Sequence, residues 1–195
     1  MAHYAKKAFD IEYEFPFGWQ ELEGIHNRTN FDLGRHQEFS GKKLEYFDEQ
    51  AKERYLPFIV ETSAGCDRSL LVALTDAFRQ EEDRVFLALH PNIAAYKVAI
   101  FPLMKKEPLM EAAVKIHKDV AKHWRCDFDE SGSIGKRYYR QDEIGTPFCV
   151  TIDFDTVEKG TVTIRHRDTK QQDKIETPRL IEYLTDQLAG WQLKV

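Results

Sequence analysis

One stretch constrains the fold more than any other: Pro57-Phe58-Ile59-Val60-Glu61-Thr62-Ser63-Ala64-Gly65-Cys66-Asp67-Arg68, running on into Ser69-Leu70-Leu71-Val72-Ala73-Leu74. Phe58 to Val60 are apolar and β-prone, which predicts a buried strand. Gly65 permits a backbone conformation that a Cβ would resist. Beyond it, Leu70, Leu71, Leu74, Ala77 and Phe78 recur at helical spacing. The prediction is a strand, a tight glycine turn and a helix, with Glu61, Ser63 and Arg68 gathered at the joint. A carboxylate there can hold an ammonium group, and an arginine can hold phosphate oxygens through a forked pair of charged hydrogen bonds. A structural ion-pair cluster would use the same residues, and the pattern alone does not choose between them.

Upstream, Phe9, Ile11, Tyr13 and Phe15 alternate with Asp10, Glu12 and Glu14. That predicts a half-buried antiparallel strand. Pro16-Phe17-Gly18-Trp19 breaks it. Glu21 and Glu23 follow, two residues apart, so on a regular strand they share a face. Two like charges on one face are costly unless a cation lies between them or water solvates the edge. Residues 34–56 are polar and read as a helix start, a turn and a connection.

A linker is predicted at His90-Pro91-Asn92-Ile93-Ala94-Ala95-Tyr96, which divides the chain into domains 1–89 and 90–195. The second part alternates strand and helix. Val98–Phe101 reads as a strand buried on both faces. Helices are predicted over Glu107–Trp124, Ser133–Gly145 and Thr177–Trp191, and strands at Cys126–Phe128, Phe148–Phe154 and around Val162 and Ile164. The order β-α-β-α-β-β-α predicts an α/β layer sandwich around a mixed sheet. Two basic clusters lie in it. Lys136-Arg137-Tyr138-Tyr139-Arg140 interleaves charge with aromatic rings, and Arg165-His166-Arg167 lies on a strand. Either can hold phosphate or stack a base, or can pack and be solvated as ordinary structure.

Charge narrows the partners. Residues 1–89 carry 11 Lys+Arg against 17 Asp+Glu, and residues 90–195 carry 17 against 16. Neither half has a broad basic footprint, so any RNA contact is local. Cys66, Cys126 and Cys149 are odd in number and far apart, which suggests neither a zinc site nor a disulfide framework. No apolar run approaches the roughly 18 residues of a membrane span. Met1–Lys7 has no apolar core of a secretory signal. The expectation is a cytoplasmic protein with no membrane partner and no metal held by its own side chains.

Residues 57–74 resemble motif 3 of the class II aminoacyl-tRNA synthetases, in the form carried by the dimeric glycyl-tRNA synthetases, with Thr62 where that family usually has proline. The block Phe15-Pro16-Phe17-Gly18-Trp19 through Glu21-Leu22-Glu23-Gly24-Ile25 to Arg28-Thr29 and Phe31-Asp32-Leu33 resembles the segment preceding motif 3. The run from Ser133-Ile134-Gly135-Lys136-Arg137 to Gly145-Thr146-Pro147-Phe148 resembles the anticodon-binding domain shared by the glycyl, histidyl, threonyl and prolyl enzymes.

The resemblance implies the end of an antiparallel-sheet catalytic domain followed by an α/β anticodon-binding domain with a mixed sheet and three helices. It implies glycine–tRNA ligase activity, with ATP and its Mg2+, glycine and glycine tRNA as partners and a homodimer in the complete enzyme. By the same likeness Arg68 and Glu61 are catalytic. Glu61, Thr62, Ser63, Ala64 and Gly65 bind glycine, and Glu21, Leu22, Gly65, Cys66, Asp67 and Arg68 bind ATP. Arg137, Arg140, Asp142 and Thr146 lie near the anticodon. Motifs 1 and 2 of the class are not found, so the chain alone is expected to be inactive. The alternative is a non-catalytic, synthetase-like module that binds tRNA or protein.

Overall fold

The computed structural model describes residues 6–191; Met1–Ala5, part of the stretch read above for a leader, lie outside the described residues. The chain divides into two compact units, Met1–Thr75 and Asp76–Val195. The division falls ahead of the 89/90 boundary expected from the linker. Residues 76–89 form a turn-back that packs with the second unit: Ala77, Leu89 and Ala94 share one buried cluster, and Ala88 N–H donates to the Ala77 carbonyl at 2.6 Å.

The first unit contains β1 (Lys7–Phe15), β2 (Gly18–Thr29), α1 (Phe31–Ser40), β3 (Tyr46–Asp48), β4 (Glu53–Tyr55), β5 (Ile59–Ala64) and most of α2 (Cys66–Ala77). Its main sheet has the order β1-β2-β5, antiparallel throughout, and β3 and β4 form a separate hairpin. Side chains alternate across the sheet. Phe9 and Ile11 share a face with Ile25 and Glu23 of β2 and with Val60, Thr62 and Ala64 of β5. The other face carries Asp10, Glu12, Gly24, His26, Glu61 and Ser63.

The half-burial expected of β1 is reached at its end: Phe15 is 3% exposed, but Phe9 is 56% exposed. Phe15 is the one buried apolar side chain among the described residues of this unit. Ordering a residue's backbone costs roughly 1–2 kcal/mol, whereas full burial of one phenylalanine contributes about 1.5–3 kcal/mol. The first unit therefore lacks a core proportionate to its length.

The second unit contains β6 (Phe78–Gln80), β7 (Val85–Leu87), β8 (Val98–Pro102), α3 (Glu107–Val120), β9 (Cys126–Phe128), α4 (Ile134–Ile144), β10 (Phe148–Ile152), α5 (Phe154–Lys159), β11 (Thr161–His166), β12 (Gln172–Glu176) and, after a 3-10 turn at Thr177–Arg179, α6 (Leu180–Ala189). The five-stranded sheet has the order β12-β11-β10-β8-β9. β8 runs parallel to both β9 and β10, and the β10–β11 and β11–β12 pairs are antiparallel, so the sheet is mixed as expected. Every residue of β8 and β10 is buried, because helices cover both faces. Val98, Ile100, Val150 and Ile152 meet Ala113, Ile116 and Val120 of α3, and Leu180 and Leu184 of α6, in one core.

There are four α-helices among the described residues of this unit, not three. Phe154, expected to continue β10, instead opens α5. Asp153 ends the strand by capping that helix: its carboxylate accepts from Thr156 N–H, and its own N–H donates to Thr156 Oγ1, both at 3.1 Å. α4 ends as predicted at Gly145, whose φ of +80° is a left-handed cap; a Cβ there would lie 2.9 Å from the Leu87 carbonyl.

Glu81 sits between two cations. Arg84 donates to it from Nε at 2.9 Å, and the Lys170 ammonium is 2.8 Å away. These hydrogen bonds hold its pKa down at about 2, against an ordinary 4.5. A carboxyl depressed by folding stabilises the native state above about pH 4.5, and that contribution disappears as pH falls towards 2. Urea unfolding at pH 5 and pH 3 is expected to separate wild type from Glu81→Gln at the higher pH and to narrow the difference at the lower.

Candidate functional site

The pairing of β1 with β2 contains a bulge. Ile11 faces Glu23 and Glu12 faces Glu21, leaving Leu22 unpaired. Adjacent residues of β1 point to opposite faces, so their partners Glu21 and Glu23 do too. The expected same-face pair of carboxylates does not exist. Glu21 joins Ser63 and Glu61 on the charged face, and Glu23 lies on the apolar one.

β5 leads through Gly65 directly into α2, as the sequence predicts. The Ser69 hydroxyl donates back to the Gly65 carbonyl at 2.9 Å and steadies the joint. Arg68, 47 residues away in sequence from Glu21, donates an N–H to the Glu21 carbonyl. An open cleft of about 660 Å³ forms here, lined by Glu21, Leu22, Ser63, Gly65, Cys66, Asp67, Arg68 and Leu71. All six residues expected to contact ATP line it. Of those expected to contact glycine, Ser63 and Gly65 do. The Thr62 and Ala64 side chains lie on the opposite sheet face, so only their backbone serves this side.

Glu61 is on the cleft's face but is engaged by Arg28, whose guanidinium is 2.7 Å from its carboxylate. Arg28 also grips Asp32 through two hydrogen bonds, of 2.5 and 2.8 Å, and these hold the Asp32 carboxyl below its usual range. Arg28 is itself a bulged residue: Asn27 pairs with Val60 and Thr29 with Ile59, and Thr29 takes a φ of +55°. The Arg28–Asp32 clamp was missed from sequence. Helical spacing gives no signal for it, because Arg28 lies on β2 and Asp32 in the first turn of α1.

In the second unit the four residues expected near the anticodon separate sharply. Asp142 is fully buried and accepts from Arg165 at 2.8 and 2.9 Å and from Arg84 at 3.0 Å. Arg137 is 2% exposed and donates to the Pro102 and Gly132 carbonyls. Thr146 is buried, and its hydroxyl donates to Gln141 at 2.6 Å. These three side chains are enclosed by their own fold, and the partners named are protein groups. Arg140 alone of the four is solvent-facing. It pairs with Asp129, and its side chain is 44% exposed. Beside it Tyr139 is 44% exposed and Lys136 is exposed. The second basic cluster is enclosed in the same way. Arg165 and Arg167 are buried, and His166 lies within hydrogen-bond distance of Asp173 and Tyr183, both at 2.9 Å. Burial lifts the Cys126 thiol to about 12 and that of Cys149 upward as well, so neither is a ready nucleophile.

Comparison with known proteins adds a second line of observation. Residues 97–187 match the family described as the anticodon binding domain. Over nearly the whole chain, the glycine–tRNA ligase of Chlorobaculum tepidum is 50% identical (96% of this chain, 41% of the relative). The glycine–tRNA ligase of Borreliella burgdorferi strain B31 is 51% identical (98% and 45%), and that of Caldanaerobacter subterraneus subsp. tengcongensis 52% (96% and 41%). The chain belongs to the glycyl-tRNA synthetase family. It corresponds to a C-terminal portion of these synthetases and spans less than half the length of the curated relatives it matches. Within the synthetase family the mixed-sheet unit is the anticodon-binding domain, and the cleft belongs to the part that precedes it.

Proposed function

We propose that this chain serves as the C-terminal portion of a glycine–tRNA ligase, with its cleft taking ATP and glycine and its second unit taking the anticodon end of glycine tRNA. The observation that carries this reading is the convergence of Glu21, Ser63 and Arg68 on one cleft at the start of α2. The donor set suits a nucleotide. Arg68 and the N-terminal N–H groups of α2 favour phosphate oxygens, and Leu22 and Leu71 offer apolar contact. Mg2+ arriving with ATP would offset phosphate charge.

In this reading the glycine carboxylate attacks the α-phosphorus of ATP and pyrophosphate leaves; a hydroxyl of the tRNA's terminal ribose then takes the glycyl group from the adenylate, and AMP leaves. The chain's residues position and stabilise charge. Glu61 and Ser63 hold the glycine ammonium, Arg68 pairs with the departing phosphates, and Glu21 lies against the adenosine side. Arg28 and Asp32 hold Glu61 in place. Residues 1–89 close the catalytic domain in sequence, a homodimer forms in the complete enzyme, and the setting is cytoplasmic.

The test at the RNA end uses the chain itself. Glycine tRNA is expected to bind it at least tenfold more tightly than the same tRNA with an altered anticodon, measured by anisotropy at fixed salt; equal binding would end the anticodon reading. Arg140→Ala is expected to weaken cognate binding by about 1–3 kcal/mol. Its unfolding free energy should change by less than about 1 kcal/mol, because the Arg140 side of the pair is solvent-facing and Asp129 keeps the Ser131 N–H.

A further inference from the structure

On the charged face of the first unit's sheet, the His26 ring lies over Gly24. A Cβ built on Gly24 would meet His26 Cε1 at 2.7 Å and Nδ1 at 3.4 Å. The ring thus rests where a side chain at position 24 would stand. Register places it among the groups assigned above to the substrate. In β5, Glu61 is paired with His26 and Ser63 with Gly24. In β1, Ala8 is paired with His26 and Asp10 with Gly24. Paired residues share a face, with Cβ atoms about 4.5–5.5 Å apart. The imidazole therefore leans from the Glu61 row towards the Ser63 row. It makes no hydrogen bond among the described residues, so its tilt follows from the bare backbone of Gly24 beneath it.

We propose that the His26 imidazole is the floor of the glycine pocket and sets the room available at the substrate's Cα. The inference rests on the reading that Glu61 and Ser63 hold the glycine ammonium. Along the strands the His26–Glu61 pair is followed by the Gly24–Ser63 pair, and then by the joint that leads into α2 and Arg68. An ammonium held by Glu61 and Ser63, with the carboxylate turned towards Arg68, sets Cα above the Gly24–Ser63 pair. The surface beneath it is the ring. A hydrogen fits there, whereas a methyl needs the space that the ring fills. Gly24 keeps the ring low, since a Cβ would lift it towards the substrate. One methyl more or less in a pocket typically changes discrimination by about 10- to 200-fold. A ring lying on a glycine can also simply cover bare backbone in a sheet. That role would show in stability and not in the choice of amino acid.

The test is ATP–pyrophosphate exchange by a full-length ligase carrying this sequence, with glycine and with each enantiomer of alanine. A ring closes one side of Cα, so His26→Ala is expected to raise kcat/KM for one enantiomer of alanine, relative to glycine, at least tenfold. Gly24→Ala is expected to raise the glycine KM at least tenfold. Adding His26→Ala to it should remove most of that increase, because the ring that the new Cβ displaces is gone. An unchanged alanine-to-glycine ratio in His26→Ala, an equal gain for both enantiomers, or simple additivity of the two substitutions would each overturn the proposal. Should Gly24→Ala fail to fold by urea unfolding, the ratio in His26→Ala decides alone. Glu61→Gln in the same assay tests the reading beneath. A glycine defect there, with discrimination unchanged in His26→Ala, removes only the floor; no defect there removes both.

Discussion

Asp142→Asn is expected to destabilise the second unit by about 3–5 kcal/mol, the cost typical of removing one partner from a buried ion pair. Asp142 has no exposed surface, and it faces the Arg84 and Arg165 side chains, which are 0% and 8% exposed. Losing the carboxylate charge leaves two buried guanidinium groups to share what remains. Arg84 keeps Glu81 and the Arg167 carbonyl, but both bonds from Arg165 end on Asp142. Thermal unfolding of the whole chain should show the second unit's transition lowered by roughly 10–20 °C. A shift within a few degrees would mean that the network is satisfied by water or is redundant. Any loss of tRNA binding in this variant should follow the loss of fold and vanish at low temperature. A residue in direct contact with a base would instead cost affinity at every temperature.

Glu61→Gln, made in a full-length ligase carrying this sequence, is expected to lower kcat/KM for glycine in ATP–pyrophosphate exchange by about 30-fold to several thousandfold. That range corresponds to roughly 2–5 kcal/mol for truncating one member of a desolvated charge pair. The amide keeps the shape of the side chain and can still accept from Arg28, which retains its two bonds to Asp32. Folding should therefore be little affected, and the defect should lie in how the glycine ammonium is held. Unchanged glycine KM and kcat would remove Glu61 from the site and leave it as a strut for Arg28.

Much of the architecture was legible because period and punctuation agree. Val98–Phe101 reads as a strand buried on both sides, and it is. Ser133 and Gly145 bracket α4 as cap and stop. Two kinds of information were not legible. The first is whether a charged side chain faces in or out. Arg137, Arg165 and Arg167 look like a solvent-facing basic surface in sequence, and Asp142 like a solvated neighbour, since charged side chains are seldom enclosed; each is buried against partners distant in the chain. Arg84, in the charged run Glu81-Glu82-Asp83-Arg84, is one of those partners. The second is the break in alternation. Period-two counting places Glu21 with Glu23, and nothing in Glu-Leu-Glu announces that Leu22 stands outside the ladder.

That unpaired leucine has a consequence for the hairpin that precedes it. The two-residue turn at Pro16-Phe17 pairs Phe15 with Gly18, and this sets the count for the near half of β2. The far half, from Glu23 onward, pairs with a count larger by one. The same residues without a bulge would need a three-residue turn, and Glu21 would then fall opposite Tyr13 on the apolar face. The chain thus carries two competing registers, and the tightness of the turn selects between them. Gly18, at φ +106°, is a residue on which that choice depends. A change at the hairpin tip, far from any reacting group, would be felt as a slipped register that moves a carboxylate from one side of the sheet to the other.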